Sequence, residues 1–139
     1  MSQMTLKAKK AAEYLREFIG IHQLYALGVG CLGEESAFFN EKLINLAKLI
    51  NAMPKTFETD GQGDKAIARL HYFKGQCDWY ITERDCEPQQ YQAFGLTDLR
   101  QGSPELGYIS ISELIENSVE LDLFWKPCAI GAIRAKVAA

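Results

Sequence analysis

Between Asp60 and Pro127 the chain breaks into short apolar and aromatic runs separated by turn formers. In order they read TDGQGD, AIARLHYF, DWYITERD, FGLTDL, PELGYISISEL and LDLFWKP. Aromatic and β-branched residues crowd the runs, while Gly, Pro and Asp sit at the breaks. The pattern predicts strands over residues 66–73, 79–85, 92–99, 106–109 and 121–126. The gaps between them are short, as antiparallel hairpins require. Ala66, Ala68, Leu70 and Tyr72 alternate as the apolar set of the first run, with Arg69 and His71 pointing the opposite way. In the second, Trp79, Ile81, Glu83 and Asp85 share one face, and Tyr80, Thr82 and Arg84 the other.

Helical periodicity marks two earlier segments. Over residues 5–19, Ala8, Ala11, Ala12, Leu15, Phe18 and Ile19 recur at helical spacing, with Lys9, Lys10, Glu13, Arg16 and Glu17 opposite and Gly20 as the stop. The alanines on one face and the mixed charges on the other fit a helix laid on a sheet better than one laid on a membrane. A second helix is predicted from Asn40 or slightly earlier to about Ala52, capped by Asn40, with Phe39 and Ile44 as a hydrophobic staple. Leu43, Leu46, Ala47 and Ile50 form its stripe, and Met53-Pro54 ends it. Ser110 and Glu113 form a capping box for a short third helix through about Asn117. Residues 54–64 read as a turn-rich connector, and AIGAIRAKVAA as a loose or partly helical tail.

Residues 21–32 (IHQLYALGVGCL) are apolar and lead into three close glycines, which predicts a short strand and a glycine-rich loop. GVGCLG matches G-x-G-x-x-G in form. A dinucleotide site needs a strand before that motif, a helix at the third glycine and an acidic residue about twenty positions on. Here Glu34 and Glu35 follow Gly33, where a pyrophosphate would sit, and no βαβ rhythm comes after. The loop reading is the simpler one.

Composition narrows the function classes. The 139 residues fit one domain, and a net charge of -3 is not the footprint of a nucleic-acid binder, so direct nucleic-acid binding is not expected. Cys31, Cys77, Cys86 and Cys128 form no CxxC pair, and neither His22 nor His71 completes a zinc pattern. Free thiols in a reducing cytoplasm are the expectation. The first twenty residues lack an apolar centre, and no apolar run is long enough to span a bilayer, so neither a secretory leader nor a membrane partner is expected.

Two constellations remain. Glu83 and Asp85, with Glu105, Asp60 or Asp64 nearby and His71 as proton shuttle, would give the carboxylate cluster of a metal-dependent hydrolase or nuclease. Cross-strand pairing with Arg69, Arg84 and Lys126, and turn capping by Asp60, Asp64 and Asp85, accounts for the same acids more simply. TDGQGD lacks the ligand alternation of an EF-hand loop. No Ser or Cys stands in a nucleophile elbow. No metal or cofactor is therefore expected. The aromatics, interleaved with acids instead of bases, point to core packing and a protein-facing patch.

The series MPKTFETDGQGDKAIARLHYF, DWYITERD, FGL, PELGYISISEL and DLFWKP resembles, in order and spacing, the family catalogued as domain of unknown function 2958. W-Y-x-x-E-x-D, E-L-G-Y-x-S-x-S-E-L and D-L-[FYW]-x-K-P carry the resemblance over residues 43–128. It implies a setting in plasmids, phages and integrative elements but no activity, and singles out Glu83, Asp85, Glu105, Gly107, Tyr108 and Lys126.

The expectation is an α+β chain. An antiparallel sheet of about five strands is covered on one face by two helices, with a short third helix beside it. Residues 1–39 would be an added helix and loop, 40–128 the core and 129–139 the tail. The expected function is non-enzymatic: an accessory protein that binds one unidentified protein, a host-defence factor or part of the element's DNA-processing machinery. Arg69, His71, Tyr80, Arg84 and Tyr108 are the candidate contact residues, and a homodimer stays open.

Overall fold

The computed structural model describes residues 3–138 and is α+β. Helices α1 (Leu6–Leu15), α2 (Ile21–Gly30) and α3 (Ser36–Asn51) come first. Strands β1 (Ile67–Ala68), β2 (Leu70–Lys74), β3 (Cys77–Glu83), β4 (Ala93–Asp98) and β5 (Glu105–Ile109) follow, then α4 (Ile111–Glu116), β6 (Glu120–Leu121), β7 (Cys128–Ala129) and α5 (Ile130–Ala138). The main sheet is antiparallel, in the order β5-β4-β3-β2-β6, and β1 pairs with β7 in a separate ribbon.

One face of the sheet is packed by α1 and α3. Ala8, Ala11 and Leu15 of α1 and Leu43 and Ile50 of α3 bury against Leu70, Tyr72, Ile81, Ala93 and Ile109. Thr5 caps α1 by accepting the Ala8 N–H, and the Tyr72 hydroxyl donates to the Phe18 carbonyl at 2.5 Å, tying the sheet to the α1–α2 turn. Ser110 caps α4 through the Glu113 N–H, as the sequence predicts.

The other face has a cover of its own. Of the two readings of the tail, loose or partly helical, the helical one holds: residues 130–138 form helix α5, and Ile130 and Ile133 close a second core with Ala66, Ala68, Tyr80 and Leu96. The predicted strand over residues 66–73 is interrupted at Arg69. Ala66 and Ala68 bury in this second core, while Leu70 and Tyr72 bury in the first. Of the last strand predicted over residues 121–126 only Leu121 is kept, beside Glu120 in β6, because Asp122 turns the chain: it accepts the Phe124 N–H on Oδ1 at 3.0 Å.

Residues 21–30 are a helix, not a strand and glycine loop. Leu24, Leu27 and Cys31 face inward, while Ile21, Tyr25, Val29 and Leu32 are exposed. Apolar residues on both sides erase the contrast that would have marked a helix. Gly30 serves packing: a Cβ there would lie 2.6 Å from the Phe39 ring. Asn40 caps nothing in its own helix, which starts at Ser36 and contains both Phe39 and Ile44, so no staple forms. The buried Asn40 side chain instead accepts the Thr5 N–H (2.8 Å) and donates to the Gln3 and Ser36 carbonyls (3.2 and 2.8 Å).

Candidate functional site

A bulge in β3 redistributes the acids of the W-Y-x-x-E-x-D segment. Ile81 pairs with Gly95 and Glu83 with Phe94, so one extra residue, Thr82, sits in β3 and the alternation slips. Glu83 therefore leaves the face of Ile81 and turns to the side of Phe94. Its carboxylate, 2 % exposed, accepts the N–H groups of Phe57 (2.9 Å) and Thr59 (2.6 Å) and the Thr59 hydroxyl. Asp85 organises a second loop by accepting the Glu87 N–H (3.1 Å) and the Gln92 N–H (2.9 Å). Arg84 donates to the Ile50 and Asn51 carbonyls at the end of α3 (3.0 and 3.3 Å), answering groups that the helix leaves unpaired. These three residues bind backbone.

Glu105 is exposed at the start of β5, opposite Thr97. Asp64 pairs with Arg134 of α5 at 3.0 Å. Among the described residues, no three His, Cys, Asp or Glu side chains stand where they could share a metal ion.

His71 sits between two carboxylates. Its Nε2 lies 2.7 Å from Asp78 Oδ1, and its Nδ1 3.0 Å from Asp122 Oδ2. Carboxylates accept only, so a neutral ring can donate to one of them and the imidazolium to both. Tyr80 stacks on the ring at 4.8 Å, and Trp125 packs beside both, its Nε1 donating to the Ala68 carbonyl. Burial, followed by the negative charges of Asp78 and Asp98, pushes the Tyr80 phenol up to about 12. Both ring nitrogens of His71 are engaged by carboxylates. The centre fastens the DLFWKP turn to β2 and β3. Arg69 donates to the Ile67 carbonyl at 3.2 Å and stays beside its own strand.

Of the five candidate contact residues, Tyr108 is the one with most of its side chain outside. Its ring is 57 % exposed and makes edge-on contacts with Phe94 (5.8 Å) and Phe57 (6.3 Å). Phe57 is 60 % exposed and has φ +79°, a left-handed conformation that costs a bulky residue of order 1–3 kcal/mol. The Glu83 bonds hold the loop in that shape. Sequence reasoning passed over Phe57. The signal was a lone large aromatic inside the polar connector KTFETDGQGD.

These loops and strands all fall within a matched family model, the protein of unknown function DUF2958, over residues 41–126. The chain belongs to the DUF2958 family. No curated protein and no solved structure matches it. The DUF2958 segment begins inside α3 and covers the rest of that helix and the whole five-stranded sheet. Helices α1 and α2 and helix α5 lie outside it.

Proposed function

We propose that this chain is a non-enzymatic accessory protein of a mobile genetic element that binds another protein along strand β5. The observation that carries the reading is Phe57: exposed, strained, and held beside Tyr108 by a buried carboxylate devoted to that loop. Backbone strain and a desolvated charge both cost stability, and a displayed aromatic pair is what they yield.

The two sheet edges differ in a way that favours β5. At the β6 edge the Gln23 side chain donates to the Leu121 carbonyl (2.7 Å) and accepts its N–H (3.0 Å), so that backbone is already paired. At the other edge β5 pairs with β4 alone. Its five residues, ELGYI, carry no Lys or Pro to blunt the edge, and space is open around Gly107. An extended segment of a partner would add to β5 by main-chain hydrogen bonds, with Tyr108 and Phe57 gripping its side chains. A net charge of -3 suits a partner with a basic surface, such as one that itself handles nucleic acid. Four free cysteines support a reducing compartment.

The test is affinity capture from the native host, comparing the wild type with a Phe57→Ser/Tyr108→Glu variant. A protein recovered by the wild type and lost with the variant supports the reading. Equal recovery by both would place the contact elsewhere. Thermal stabilisation by Mg²⁺ or Mn²⁺ would instead favour hydrolytic chemistry.

A further inference from the structure

We propose that helix α2 is a self-association surface, on which two copies of this chain pack antiparallel about a twofold axis. Ile21, Tyr25, Val29 and Leu32 recur at intervals of four, four and three residues. They line one outward stripe and are 68, 74, 48 and 61 % exposed. Contiguous apolar exposure of this kind marks an interaction site on a soluble protein, whereas scattered single residues do not.

The helix is rigidly mounted, so the stripe is displayed in a fixed orientation. Gln23 is bonded twice to Leu121, and Leu27 and Cys31 are buried beneath. Gly30 lies so close to the Phe39 ring that no side chain would fit between them. Nothing in this mounting requires the outward side to be apolar.

Two observations select a second copy as the occupant. The first is charge. From Phe18 to Gly33 the sequence has no Asp, Glu, Lys or Arg, so two α2 faces meet without a buried charge on either side. Exposed Arg16 lies just before the helix, and exposed Glu34 and Glu35 just after it. An antiparallel pair brings Arg16 of each copy toward Glu34 and Glu35 of the other and opposes the helix dipoles. A parallel pair would set acid against acid.

The second observation is layout. The four stripe residues and exposed Ala26 make a central apolar core, and the flanking charges a polar rim. That is the anatomy of a self-complementary interface. The α2 face lies beside the β6 edge, so the pairing leaves both copies of β5 open and the dimer bivalent.

Sedimentation velocity on the full chain, from low to high micromolar concentration, is the test. The expected result is a concentration-dependent dimer. Tyr25→Arg, at a position 74 % exposed, should leave the melting temperature unchanged and weaken dimerisation by about a hundredfold or more, through like charges meeting near the axis. Val29→Arg provides a second variant of the same kind. Arg16→Glu should weaken the dimer, and adding Glu34→Arg with Glu35→Arg should restore it. A monomer at every concentration would overturn the proposal. So would a dimer that Tyr25→Arg leaves intact, or one that the double reversal fails to restore.

Discussion

The main-chain carbonyl of Tyr80 occupies the place where a side chain on Gly95 would begin: a Cβ built there would lie 1.9 Å from that oxygen. This close approach sits beside the β3 bulge, where Ile81 pairs with Gly95 and Glu83 with Phe94. Gly95→Ala would force β3 and β4 apart at the centre of the sheet. The expected loss is about 4 kcal/mol or more, read by urea denaturation. Gly107, directly opposite on β5, has nothing within 4 Å of a built Cβ, so Gly107→Ala should stay within about 1 kcal/mol of the wild type. Equal losses at the two sites would contradict this geometry.

The same bulge delivers Glu83 to the 57–59 loop. Glu83→Ala would leave the N–H groups of Phe57 and Thr59 without their acceptor, along with the Thr59 hydroxyl, at a cost of about 3 kcal/mol. Amide hydrogen exchange at Phe57 and Thr59 should accelerate beyond what the global loss explains, because the loop opens by itself. Glu83→Gln keeps one acceptor oxygen and should fall between. A Glu83→Ala protein with both amides still protected would show that the loop is held by something else.

How far the sequence could carry these conclusions depended on the range of the interaction. Alternation within single runs sufficed for the antiparallel sheet, because residues two apart on a strand share a face whatever the rest of the chain does. It could not reveal the break at Arg69. Ala68 and Leu70 keep the right spacing, and each is buried, but in different cores on opposite faces. Nor could it show what the acids hold. The donors to Glu83 come from residues 57 and 59, and the partner of Asp122 from residue 71. Helix α2 defeated the periodicity test because its outward stripe is apolar too. Helix α5 was hidden by small residues, and its Gly131 is explained by Asp64: a Cβ there would lie 3.3 Å from the Asp64 carbonyl.

Asp98 is 2 % exposed and stands directly opposite Asp78 across β3 and β4. Its Oδ1 accepts the Arg100 N–H at 3.0 Å, while Oδ2 has no hydrogen bond among the described residues and faces Arg100 Nε only at 3.5 Å. Like charges directly opposed on a sheet are unfavourable, and half of this carboxylate is desolvated without a donor. Asp98→Asn keeps the Oδ1 acceptor, removes the repulsion and can donate toward Asp78. It should stabilise the protein by about 1 kcal/mol, measured as a higher urea midpoint at unchanged slope. A destabilised variant would mean that the contact with Arg100 outweighs both costs.

Tyr80 lies against the same acids, and together with Tyr72 it makes the fold sensitive to alkali. Burial first, then the charges of Asp78 and Asp98, raise its phenol from 10.0 to about 12. Complete burial raises Tyr72 in the same direction. Between these values an unfolded chain has released the Tyr80 proton while the folded one keeps it, so the unfolded state binds fewer protons and stability falls as pH rises. The contribution is fully present below pH 10 and disappears as pH passes through about 12. Tyr80→Phe should reduce the loss of stability across that window, leaving the share that Tyr72 carries, and remove the tyrosinate step near pH 12. An alkaline titration in which Tyr80→Phe retains both the step near pH 12 and the same decline would rule out Tyr80 as their source.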